Sequence, residues 1–119
     1  MNNALFYFKQ FKSDISDLHN VFGKDLHNAD IESPECVTVS DVINAIESYR
    51  KGTIAKQALV DWVNVLWFTD LYVYDEMYED AISSVMTLLE TLDEENTTFS
   101  DKEYDSMITA LKNNVSCEL

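Results

Sequence analysis

The chain has 119 residues, 46% of them hydrophobic and 25% charged, which is the size and composition of a single folded domain. Twenty-two acidic residues against eight basic ones leave a net charge of −14, a balance that repels nucleic-acid phosphates and anionic membranes. One proline and two glycines are too few for a loop-rich scaffold or a phosphate-cradling loop.

The chain-order pattern is helical throughout. Leu5, Phe8, Phe11, Ile15, Leu18 and Phe22 recur at spacings of three and four, which predicts one helix face ending near Gly23. Asp17-Leu18-His19-Asn20 recurs as Asp25-Leu26-His27-Asn28, two copies that make no repeat architecture. Residues 28–37, with Asn, Asp, Ser and the lone proline, read as a loop. A second helix is expected from Thr38 or Ser40 to Lys51, burying Val39, Val42, Ile43, Ile46 and Tyr49 and stopping at Gly52. Thr53 is placed to cap a third helix, whose apolar positions are Leu59, Trp62, Val63 and Leu66. Trp62 and Trp67 lie about 140° apart around a helix axis. Trp62 therefore reads as core, and Trp67 as the one available to a partner. A fourth helix should run from near Asp75 to about Leu92, broken by the acidic turn at Asp93–Asn96. Ser100 and Glu103 form a capping box that opens the last helix, with Phe99 stapled onto Tyr104. Val37-Thr38-Val39 is too short for a convincing strand, and Val60 to Phe68 carries helical periodicity. The expectation is one all-α domain over residues 1–119, a compact bundle of about five helices with short connections.

Catalytic and metal-binding patterns were sought and are not found. Neither His19 nor His27 stands three residues after a glutamate, as a di-iron bundle requires. His19, His27, Cys36 and Cys117 have none of the usual zinc spacings. No calcium loop fits around Asp70 or Asp93, and no nucleophile elbow or dinucleotide fingerprint is present. The expectation is a protein that is no enzyme, with no metal and no cofactor. The two cysteines form no C-x-x-C pair and suit a reducing compartment. Met1 to Lys12 lacks the basic start and apolar run of a signal peptide, and no stretch approaches 18 apolar residues. A cytoplasmic location follows as an expectation.

The charge is concentrated. Residues 70–105 carry twelve acids and one base, Lys102. Within that stretch Asp70, Asp75, Glu76, Glu79 and Asp80 are interleaved with Tyr72 and Tyr74. Carboxylates steer toward a basic partner and pair with arginine, and tyrosine supplies rigid contact area at low entropic cost. Those seven residues are the candidate partner-binding set. On a helix, Glu76, Glu79 and Asp80 share one face, an arrangement that costs about 0.2–0.5 kcal/mol per like-charged pair unless a partner neutralises it.

Arg50-Lys51-Gly52-Thr53-Ile54 followed by Leu59-Val60-Asp61-Trp62-Val63 resembles a segment of small all-helical bacterial immunity proteins. Such proteins neutralise the toxin domains of contact-dependent growth inhibition systems and related bacteriocins. The acidic, tyrosine-bearing stretch is similar in kind to the recognition surface of colicin nuclease immunity proteins. What the resemblance implies is a protein that binds the C-terminal domain of a cognate toxin, and a monomer is expected when it is free. That toxin is expected to be a basic nuclease, blocked by occlusion of its substrate path, without contact of this chain with nucleic acid or membrane. The alternative is an acidic nucleic-acid mimic or regulatory adaptor that binds a basic host protein.

Overall fold

The computed structural model describes residues 3–26, 34–94 and 97–119. His27, residues 28–33 of the expected loop, and Glu95 and Asn96 of the acidic turn lie outside them. The described residues are mostly helical but not all-α, which corrects the expected architecture. Six α-helices take the place of about five: α1 (Asn3–Lys9), α2 (Ile15–Phe22), α3 (Val39–Arg50), α4 (Lys56–Phe68), α5 (Glu79–Glu90) and α6 (Asp101–Asn113). Two strands, β1 (Glu35–Val37) and β2 (Tyr72–Tyr74), pair in parallel with Cys36 opposite Val73. The crossover between them consists of α3 and α4.

The first expected helix splits because Phe11 takes a left-handed conformation, with φ of 61°. The Phe11 amide bonds to Phe8 O at 3.0 Å and the Lys12 amide to Tyr7 O at 2.9 Å, the double closure that ends a helix. An aromatic residue is unfavourable there, since Cβ crowds its own carbonyl. Stacking of the Phe11 ring on Trp62, centroids 5.5 Å apart, offsets that strain. Asp14 then caps α2, accepting from the Ser16 amide at 3.0 Å, while Asp17 accepts from the Asp14 amide at 3.2 Å. Gly23, with φ of 90°, ends α2 as its sequence position predicts.

Helix α3 starts at the Thr38–Asp41 capping box and closes through Gly52, whose φ is 76°. Thr53 does not cap α4. Its amide is taken by Ser48 O at 2.9 Å in the closure of α3, and Ala55 occupies the cap position without a side-chain bond. Helix α5 is flanked by single 3₁₀ turns at Glu76–Tyr78 and Thr91–Asp93, so the predicted run from Asp75 to Leu92 is continuous but not uniformly α. The Ser100–Glu103 box opens α6, and Phe99 meets Tyr104 edge-on at 5.6 Å.

Trp62 is fully buried at the centre of the core, and its indole N–H donates to Lys9 O at 2.9 Å. Lys9 is the unexpected member of that core, only 5% exposed. Its ammonium lies 2.8 Å from Glu35 and 3.0 Å from Asp41, and it donates to Cys36 O at 2.7 Å. Burial pulls the Lys9 pKa down, and hydrogen bonds with the charges of Glu35 and Asp41 more than restore it, so the net shift is upward. One side chain thus joins α1, β1 and the first turn of α3. Asp41 Oδ2 also accepts from the Thr38 amide at 2.9 Å and the Thr38 hydroxyl at 3.0 Å.

Lys9→Met keeps the side chain's length but leaves two carboxylates in a buried site without their cation. A loss of roughly 3–5 kcal/mol of unfolding free energy is expected in urea titration, partly recovered by adding Glu35→Gln. The alkaline limb has a predicted sign. Lys9 sits above its ordinary 10.5, and burial pushes Tyr104 from 10.0 up to about 12. Folded values above unfolded ones give stability that is complete below the unfolded pKa and lost as pH rises through the folded one. Stability should therefore fall above pH 10, and Tyr104→Phe should flatten the decline between pH 10 and about 12, as read by urea midpoints across that range.

Candidate functional site

The acidic stretch begins where α4 ends. Thr69 closes the helix, its hydroxyl donating to Val65 O at 2.6 Å and accepting the Leu71 amide at 3.3 Å. Asp70 projects into solvent. β2 follows, and the expected contact residues on it are buried to different depths. Tyr72 turns inward, is 5% exposed, and donates its hydroxyl to Leu5 O at 2.5 Å. Burial, and then the charges of Glu35 and Asp41, push its pKa upward. Tyr72 is therefore a core residue tying β2 to α1, which corrects its assignment as a surface contact. The preference of β-strands for alternate faces makes this inevitable once Val73 faces out.

Tyr74 is half-buried and stacks on Trp67, centroids 6.0 Å apart and planes 21° from parallel. Its hydroxyl is buried with no hydrogen-bond partner, and burial raises its pKa. Trp67, half-buried, forms the other half of that stack. Asp75 is occupied as the cap of the following turn, accepting the Met77 amide at 3.2 Å. Glu76, Glu79 and Asp80 are exposed, as expected. Glu79 and Asp80 lie in the first turn of α5, where the helix dipole favours carboxylates.

Two exposed apolar side chains join this surface that sequence periodicity had not singled out. Val73 is 48% exposed and Met77 is 74% exposed. For Val73 the clue was available: Tyr-Val-Tyr is rich in strand formers, and its alternation sends the middle residue opposite to the tyrosines. Nothing local marks Met77, whose exposure follows from the 3₁₀ turn that Asp75 caps. The α6 end buttresses that turn, with Asn114 Nδ2 donating to Met77 O at 3.1 Å.

Between the C-terminal end of α4, β2 and the first turns of α5 runs an open groove of about 500 Å³. The Trp67–Tyr74 stack and Glu79 lie along it. Asp70 stands at one end of β2 and Asp75 and Glu76 at the other, a chain length of at most ~20 Å. The site thus offers a groove of mixed polar and apolar lining, with Glu79 along it and further carboxylates at the ends of β2.

Elsewhere, no three His, Cys, Asp or Glu side chains converge as metal ligands among the described residues. Cys36 and Cys117 are free thiols, and burial raises the pKa of both. His19 Nδ1 lies 3.0 Å from Gly23 O at the end of α2. No helix is long and apolar enough to cross a membrane among the described residues. Comparison with known proteins finds no matching family, no similar characterised sequence and no similar solved structure.

The unpartnered Tyr74 hydroxyl makes a stability prediction. Tyr74→Phe keeps the stack on Trp67 and removes a desolvated donor, so the free protein should gain up to about 1 kcal/mol in urea unfolding. A loss above that size would mean that the hydroxyl has a partner.

Proposed function

We propose that this chain is an immunity protein that binds and neutralises a cognate bacterial toxin domain, a basic nuclease, by stoichiometric occlusion. The observation that carries the proposal is the exposure of Asp70, Glu76, Glu79 and Asp80 on the segments that flank β2, with Glu79 on the groove wall, in a chain of net charge −14. A nuclease presents a positive cleft to its substrate. Exposed carboxylates beside this groove are complementary to such a cleft: the charges speed encounter, and the Trp67–Tyr74 stack with Val73 and Met77 supplies area to be buried once contact is made. Inhibition on this proposal requires no turnover and no cofactor. The protein acts in the cytoplasm as a free monomer until it meets the toxin domain.

The test is co-expression with the product of the gene immediately upstream, followed by size-exclusion chromatography and a nuclease assay. A one-to-one complex that suppresses nuclease activity and weakens at about 0.5 M salt is expected. The triple variant Glu76→Lys, Glu79→Lys, Asp80→Lys should keep its helical circular dichroism, slow association at least tenfold and lose protection. Undiminished protection by that variant would remove the acidic surface from the mechanism.

A further inference from the structure

The two edges of the small sheet are unequal. The Glu35 amide bonds to Leu71 O at 3.0 Å and the Asp75 amide to Val37 O at 2.9 Å. In a parallel ladder alternate residues serve one neighbour, so Leu71, Val73 and Asp75 turn their amides and carbonyls to β1. Tyr72 and Tyr74 turn theirs to the opposite edge. Among the described residues the sheet has two strands only, so no strand stands on that edge. The outer edge of β1 is different, because the carbonyl of Cys36 there is taken by Lys9.

The groove described above is lined by Tyr72, Val73 and Tyr74 on one side, with α4 and α5 as its walls. We infer that this groove receives an extended segment of a basic partner protein, which adds to β2 as a third strand and bonds to the main chain of Tyr72 and Tyr74. The inference rests on the proposed function and names how the partner is held. Three observations select the occupant. An open strand edge supplies main-chain donors and acceptors that only another extended backbone matches in register. Glu79 within the groove and Asp70 beside it call for lysine or arginine on that backbone, and the charge of −14 disfavours a second copy of this chain. The Trp67–Tyr74 stack offers an apolar wall to the residues of the strand that alternate with the cations.

The experiment uses the full chain, nitrogen-15 labelled, and a nine-residue peptide of alternating lysine and valine. Amide exchange is followed by NMR, with two controls: the same peptide with alternate amides N-methylated, and its glutamate counterpart. The expected result is that exchange at Tyr72 and Tyr74 slows about tenfold or more with the lysine peptide at saturation and with neither control. Shifts confined to Glu76, Glu79 and Asp80, with exchange at Tyr72 and Tyr74 unchanged, would overturn strand addition, as would no binding at all. The same measurement on the toxin complex separates the two proposals. A neutralised toxin that leaves those two amides unprotected sinks the strand site and spares the immunity function. A peptide that protects them, with a toxin domain that does not bind, does the reverse.

Discussion

A single buried ammonium governs how this fold is assembled. Lys9 leaves the end of a seven-residue helix too short to be stable alone, and enters a site where two carboxylates and a carbonyl from other parts of the chain await it. Such a charge is costly to bury, and the cost is recovered only when all its partners are in place. That condition couples α1, β1 and α3 into one event. The carbonyl of the same residue accepts the Trp62 indole, so the lysine's main chain reaches α4 while its side chain reaches the sheet. The Tyr72 hydroxyl on Leu5 O completes the linkage from the other strand. Helix α1 is held by bonds to the carbonyls of Leu5 and Lys9 and by Leu5 and Phe8 in the core, and it packs against α2, α4 and β1.

How far the fold is legible in the sequence depends on how local each determinant is. The Ser100–Glu103 box, the Thr38 start and the Gly23 and Gly52 stops act within a few residues, and all lie where periodicity and capping place them. The break at Phe11 escapes periodicity, because an aromatic in left-handed conformation is unfavourable in isolation and is held by Trp62, fifty-one positions away. Ser13-Asp14-x-x-Asp17 did carry a start signal for α2. The two strands escape for the same reason as Phe11. Three residues cannot show a convincing alternation, and their pairing is between segments separated by two whole helices. Lys9 is the extreme case, a cation among aromatics whose partners are twenty-six and more residues distant.

The acidic surface divides along the same line. Carboxylate clustering is a property of composition, and the exposure of Asp70, Glu76, Glu79 and Asp80 agrees with it. Strand alternation sets both tyrosines opposite to Val73, and how deeply each is buried depends on what packs over it. Tyr72 and Tyr74 look equivalent in sequence, yet one hydroxyl is bonded inside the core and the other has no partner. The groove between them and α5 exists only because β2 is a strand, so it could not be anticipated from a helical pattern.

The hold of Lys9 on the Cys36 carbonyl has a consequence for assembly. A sheet that can grow on both flanks is a seed: each strand it gains presents a fresh flank to the next molecule, and the process has no natural end. Here one flank is stoppered from within by an ammonium that is itself anchored to two carboxylates. In the proposed strand addition, growth is confined to the far side of β2. The ammonium that joins α1 to the sheet thereby also withdraws a main-chain acceptor from the outer edge of β1.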